Sequence, residues 1–144
     1  SCDRSHLVRP SRAGQVRALR AALADGGLEP SDIGYVNAHG TATDHGDIAE
    51  TTATNAVFGE RMPISSLKSY TGHTLGACGA LEAWVTMEMQ REGWFHPTLN
   101  LRTVDPRCGA LDSAAGHKPM RRSQLLRRRN IRPEASSSTI DGNT

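Results

Sequence analysis

Two histidines in this chain sit in small-residue turns of nearly the same design, Asn37-Ala38-His39-Gly40-Thr41 and Gly72-His73-Thr74-Leu75-Gly76. Each is flanked by glycine, which lets backbone or ligand come close. Each is also expected to follow an extended stretch. An imidazole N–H can donate to an oxygen that gains negative charge, and two donors facing one oxygen form an oxyanion-stabilising pair. Removing one donor from such a site typically costs about 3–4 kcal/mol. A lone histidine in this context reads as a satisfied structural residue. Two of matching design favour a shared reacting carbonyl.

Other residues gather around that pair. Residues 1–112 contain nine arginines and a single lysine, Lys68, five residues before His73. Lysine is a compact point charge, unlike the arginine fork, and can hold a carboxylate or set an imidazole's protonation. Glu82, near the start of an otherwise apolar segment, is its natural partner; a surface lysine and a solvated glutamate is the competing reading. Thr41 and Thr43 alternate after His39, which in an extended segment puts both hydroxyls on one side, where they could bind a polar ligand; on the residues alone, the reading as ordinary turn residues is favoured. Asp47 and Glu50 fall at a helix start, where acids complement the dipole; that reading suffices for them, although a structural ion or a buried contact to the His39 loop is open to them. Cys78, among Gly76, Ala77, Gly79 and Ala80, reads as a small residue permitting close packing rather than a nucleophile at a helix N-terminus. His45 with Asp44 and Asp47 fits no strong metal template, so no metal is expected. His6, His96 and His117 have no supporting context.

The elements that must position these groups follow from pattern. Ser11 caps a helix to about Ala24 that Asp25-Gly26-Gly27 ends. Ile33–Asn37 is a short apolar run expected as a buried strand, and His39 lies just past its carboxyl end, where α/β proteins place chemistry. A helix is expected from Asp44–Asp47 to about Val57 with Gly59 after it, then a strand over Met62–Ser65. A helix over Gly76–Arg91, nearly uncharged in its first half, is expected to be buried. Leu99–Asp112 could add an extended segment, interrupted by Pro106. Strand–helix–strand–helix order implies an α/β layer arrangement with a parallel sheet.

The bulk numbers suit one compact domain: 144 residues, 37% hydrophobic, net charge +2. That net charge hides a break near Asp112. From residue 113 to the end there are seven Lys or Arg against two acids, while residues 1–112 hold ten basic and thirteen acidic residues. The segment 113–144 carries Arg127-Arg128-Arg129 and Ser136-Ser137-Ser138 and little periodic apolar content, a composition expected of disorder. Read as a nucleic-acid arm, it lacks interleaved aromatics, so no nucleic-acid partner is expected. Cys2, Cys78 and Cys108 form no close pair, which favours a reduced, cytoplasmic setting. No apolar run is long enough to span a membrane, and no signal peptide is expected, because Ser1-Cys2-Asp3-Arg4-Ser5-His6 lacks an apolar segment. A chain that starts at Ser1 rather than Met is expected to begin inside a longer protein.

Val36–Thr43, then Asp47 and Glu50, then Ser65–Glu82 closely resemble the C-terminal half of β-ketoacyl-acyl-carrier-protein synthases, as does Pro97-Thr98-Leu99-Asn100-Leu101. The resemblance runs from about Cys2 to Asp112, and the two histidine motifs at this spacing are specific. It implies the C-terminal half of a thiolase-like αβαβα fold and a decarboxylating Claisen condensation. By it, His39 and His73 bind the malonyl thioester carbonyl, Lys68 and Glu82 form the charged pair that orders the site, and Thr41 and Thr43 hydrogen-bond a phosphopantetheine arm. The implied partner is acyl carrier protein, the implied assembly a homodimer or heterodimer, and no cofactor beyond the carrier's phosphopantetheine is implied. The family's nucleophilic cysteine belongs to an N-terminal half that this sequence does not contain, and Cys78 occupies a small-residue position. An alternative is a non-catalytic carrier-binding or chain-length-factor-like module. Thiolases share the fold, but Asn-Ala-His-Gly-Thr argues for the synthases. Residues 113–144 resemble nothing in the family; a shifted reading frame or a foreign sequence is the expectation for them.

Overall fold

The computed structural model of the chain describes residues 10–113 together with 118 and 119. Ser11 caps α1 (Arg12–Asp25), its hydroxyl accepting the Gly14 N–H at 3.2 Å, and Gly26 ends the helix. A 3-10 turn (Pro30–Asp32) leads into β1 (Val36–Asn37), two residues rather than the five of the expected run. Next come α2 (Gly46–Phe58), closed by Gly59 at φ +82°, and β2 (Pro63–Ser65). One turn of helix, α3 (Lys68–Thr71), and a 3-10 turn (Leu75–Ala77) precede α4 (Cys78–Glu92). Gly93, left-handed at φ +77°, ends α4 ahead of β3 (Trp94–Phe95). The extended segment expected over 99–112 is loop until β4 (Asp112–Ser113).

β1, β2 and β4 form a parallel sheet with β2 central. Val36 stands opposite Ile64 and Asn37 opposite Ser65, and Pro63 and Ile64 pair with Asp112 and Ser113. The α/β parallel arrangement expected from element order is therefore present. β3 pairs antiparallel with β5 (Lys118–Pro119), which the pattern gave no reason to expect. The break expected at 112/113 falls inside β4. Apart from 113, 118 and 119, the segment 113–144 lies outside the described residues.

The core is small. Ala53, Met62, Ile64, Leu67, Met89 and Phe95 are buried, and Tyr35 stacks on Phe95 with ring centroids 4.6 Å apart. α4 corrects one expectation: it buries only Cys78 and Met89, while Trp84 and Met87 on its other side are 58% and 56% exposed. Its uncharged face finds no cover among the described residues. No helix among them is long and apolar enough to cross a membrane.

Candidate active site

β1 and β2 carry the site between them. The Ala38 N–H donates to Ser65 O at 2.9 Å, extending the ladder one residue past β1 and fixing where His39 emerges. Glu50, in the second turn of α2, then takes both following amides: its carboxylate accepts His39 N–H at 2.7 Å and Gly40 N–H at 2.9 Å. The helix-dipole account of Glu50 is thus insufficient, because the carboxylate clamps the histidine loop. From the other side the Ser66 hydroxyl donates to Gly40 O at 3.1 Å. Gly40 sits at φ +42°, and a Cβ there would lie 2.6 Å from the Ser66 Cβ, so the close approach requires glycine.

His73 does not follow a strand directly. α3 intervenes after β2, and Gly72 at φ +68° ends that turn with its N–H on Lys68 O. The Leu75 N–H donates to His73 Nδ1 at 3.0 Å. Leu75 is at φ +51°, a conformation that side chains rarely adopt. Because Nδ1 accepts, the proton of the neutral ring lies on Nε2. The His39 and His73 rings meet edge to face, centroids 5.2 Å apart at 87°, and both residues are exposed. The two matching turns therefore converge in space.

Lys68 opens α3 with its side chain only 5% exposed, and its Nζ is paired with the Glu82 carboxylate on α4, itself 20% exposed. The surface-lysine reading fails; the ammonium is buried and has its counter-ion. A cavity of about 1080 Å³ spans the face, lined among others by His73, Lys68, Glu50, Thr41, Thr43 and Thr98. The Thr41 and Thr43 hydroxyls lie 3.1 Å apart. The segment is not extended, however: Ala42 at φ +57° turns the chain between them. Gly46 leaves room for that turn, since a Cβ there would lie 2.3 Å from Thr43 Oγ1. Asp44 pairs at 2.7 Å with Arg107, which also holds Asp105. Hydrogen bonds from Arg107 keep the Asp105 carboxyl down at about 2. Among the described residues no His, Cys, Asp or Glu group is arranged to hold a metal.

Residues 1–102 match the family model described as beta-ketoacyl synthase, C-terminal domain. The chain belongs to this family. It is 41% identical over 111 residues to 3-oxoacyl-[acyl-carrier-protein] synthase 2 of Staphylococcus aureus, covering 74% of this chain and 28% of that protein. A β-ketoacyl synthase from Burkholderia phymatum shares the fold with a TM-score of 0.81 at 55% identity, over 84% of this chain and 30% of that one. A ketosynthase solved in complex with its chain length factor, from Xenorhabdus doucetiae, gives 0.76 at 35% identity over 83% and 31%. The β-ketoacyl synthase domain described here thus spans less than a third of the length of these relatives, and it has the thiolase-like fold of those ketosynthases.

Two parts of this ketosynthase domain escape sequence reading. His96, which has no motif around it, is 5% exposed; its Nδ1 donates to Pro97 O at 2.9 Å and lies 3.3 Å from Ser65 Oγ. Ser65 in turn meets the Tyr35 hydroxyl at 2.7 Å, so a buried polar chain runs beneath the strand ends. Burial, partly offset by Ser65 and reinforced by the charge of Glu82, pushes the Tyr35 phenol up to about 12. Cys78, expected to serve close packing, is buried as a small residue should be, yet its sulfur lies 3.3 Å from His73 Nδ1. A cysteine where small residues are expected was the one available sign.

Proposed function

We propose that this domain supplies the malonyl-handling half of a decarboxylating Claisen condensation. The observation that carries the reading is the perpendicular pairing of His39 and His73 at 5.2 Å, with His73 Nδ1 engaged by Leu75 N–H. With Nδ1 occupied, Nε2–H is the free donor. In the proposed step the bond between the malonyl Cα and its carboxylate breaks and CO₂ leaves. The electron pair moves toward the thioester carbonyl, and His73 Nε2–H and the His39 ring stabilise the resulting enolate oxygen. The enolate carbon then attacks an acyl thioester carried on a cysteine of the complete enzyme; the new C–C bond forms as the acyl C–S bond breaks, and the cysteine leaves as its thiolate. Cys78 is not that cysteine, because it is buried against His73. Lys68 and Glu82 order the site by fixing α3 against α4, which sets where His73 begins. Thr41 and Thr43, at the cavity wall, receive the phosphopantetheine arm of an acyl carrier protein. No other cofactor enters this reading. The setting is cytoplasmic, and the complete enzyme is a homodimer or pairs with a second synthase-like subunit.

Release of CO₂ from malonyl-carrier protein tests the reading. The chain is expected to decarboxylate malonyl-carrier protein, and His39→Ala or His73→Ala is expected to lower the rate by about 100-fold or more, as loss of one oxyanion donor does. No condensed product is expected without an acyl-cysteine supplied by another polypeptide. Carrier binding without CO₂ release would instead establish a non-catalytic, chain-length-factor-like module.

A further inference from the structure

Cys78 and Thr74 contact the histidine in a way the proposed chemistry does not require. The Thr74 hydroxyl donates to Cys78 Sγ at 3.3 Å, and Sγ lies 3.3 Å from His73 Nδ1. The direction of this chain is fixed by its neighbour. Leu75 N–H already donates to Nδ1 at 3.0 Å, so Nδ1 carries no proton in the neutral ring. The proton between sulfur and nitrogen therefore belongs to sulfur, and the relay runs Thr74 O–H to Sγ, then S–H to Nδ1. Two donors share one acceptor nitrogen. The backbone donor comes from a residue held at φ +51°, a strained position that is itself 78% exposed and has little packing to hold it. The thiol comes from the first residue of α4, is buried, and is anchored by the helix.

We propose that Cys78 is a positioning residue for His73: its S–H holds the ring in the Nε2–H tautomer and fixes its tilt toward His39. The proposal rests on the decarboxylation reading for its consequence, but not for its geometry. Other groups bear on the ring. His39 faces it from the loop after β1 at 5.2 Å, and Lys68 of α3 shares the cavity wall with it. Glu82 of α4 neutralises Lys68, and the Glu50 carboxylate, also on the cavity wall, is occupied by the His39 loop amides. None of these reaches Nδ1 with a hydrogen bond, so the tautomer is set by Leu75 and Cys78.

The test is a long-range ¹H–¹⁵N spectrum of the full 144-residue chain labelled at histidine, comparing wild type, Cys78→Ala and Cys78→Ser. In wild type, His73 is expected to show an unprotonated Nδ1 and a protonated Nε2. In Cys78→Ala the Nδ1 resonance is expected to move toward the position of a weakly hydrogen-bonded nitrogen, while the His39 resonances stay in place. Cys78→Ser, which keeps a donor, is expected to restore the wild-type position. A merely structural role would leave both nitrogens unmoved in a folded Cys78→Ala chain. CO₂ release is expected to fall about three- to tenfold in Cys78→Ala, the loss corresponding to one neutral hydrogen bond, and to recover in Cys78→Ser. A protonated Nδ1 in wild type, or an Nδ1 resonance identical in all three proteins, overturns the proposal. A wild type with the expected spectrum and no CO₂ release leaves the positioning intact and overturns the decarboxylation reading instead.

Discussion

Glu50 shows what a single side chain does here that its surroundings in sequence conceal. Its carboxylate accepts two consecutive amides, from His39 and Gly40, on a loop that has no helix or sheet to satisfy them. Hydrogen bonds to a charged acceptor contribute about 1.5–3 kcal/mol each when buried, and this one is only half-buried. Glu50→Gln retains one acceptor and turns the other position into a donor facing an N–H. It is expected to lower stability by about 1–3 kcal/mol, read as a shift in the urea midpoint, and to broaden or move the His39 amide resonance. An unchanged midpoint together with an unchanged His39 resonance would refute the clamp. The Lys68–Glu82 pair gives a second prediction at this scale. Removing one partner strands a buried charge, so Lys68→Ala alone or Glu82→Ala alone is expected to cost on the order of 3 kcal/mol. The apolar double variant Lys68→Met with Glu82→Leu is expected to regain most of that stability, without recovering CO₂ release. Additive losses in the double variant would show that the pair is not coupled.

At the scale of elements, the junction of β1, β2 and β3 holds a sharply perturbed, partly buried group. The Tyr35 phenol is desolvated between Phe95 and the strand ends, with Ser65 as its hydrogen-bond partner, and its pKa is raised from 10.0 to about 12. The folded state thus prefers the neutral phenol more strongly than the unfolded chain does. A raised folded pKa means the stabilisation is fully present below pH 10.0 and is lost as pH climbs through about 12. Two units correspond to about 2–3 kcal/mol. Tyr35→Phe is expected to flatten the decline in the urea midpoint across that window; a wild-type decline that persists unchanged in the variant would place its origin elsewhere. The same junction marks the limit of what was legible. Tyr35, Ser65 and His96 carry no spacing signature, since the contacts join positions 30 and 31 residues apart and depend on strand register. Three helices, by contrast, were legible to within about two residues at their ends, and Ser11, Gly26 and Gly59 punctuate two of them locally; the single turn α3 was not expected. The strands were harder: two-residue strands offer no period to count, and an apolar run five residues long overstates the two that pair.

For the whole molecule, the decisive feature is how much of α4 remains outside the core. Sequence made this helix buried, and its apolar composition justified that, but burial needs a second surface, which no local pattern supplies. Trp84 and Met87 on α4, and Leu75 in the turn before it, are 58%, 56% and 78% exposed, against a core in which few side chains among the described residues are fully enclosed. Apolar surface of this kind, at about 25 cal/mol per Å², favours association once two copies meet. The chain is therefore expected to self-associate in a concentration-dependent way, seen as a rising sedimentation coefficient. Trp84→Gln with Met87→Gln is expected to suppress it, with little loss of thermal stability because neither side chain contributes to the core. Neither residue lines the cavity beside His73, so CO₂ release per chain should hold in the double variant. Association that persists in that variant would shift the adhesive surface off α4, to the β3–β5 ribbon or beyond the described residues. Association that vanishes together with the thermal transition would show that α4 is held by its partner copy rather than by this chain's own core.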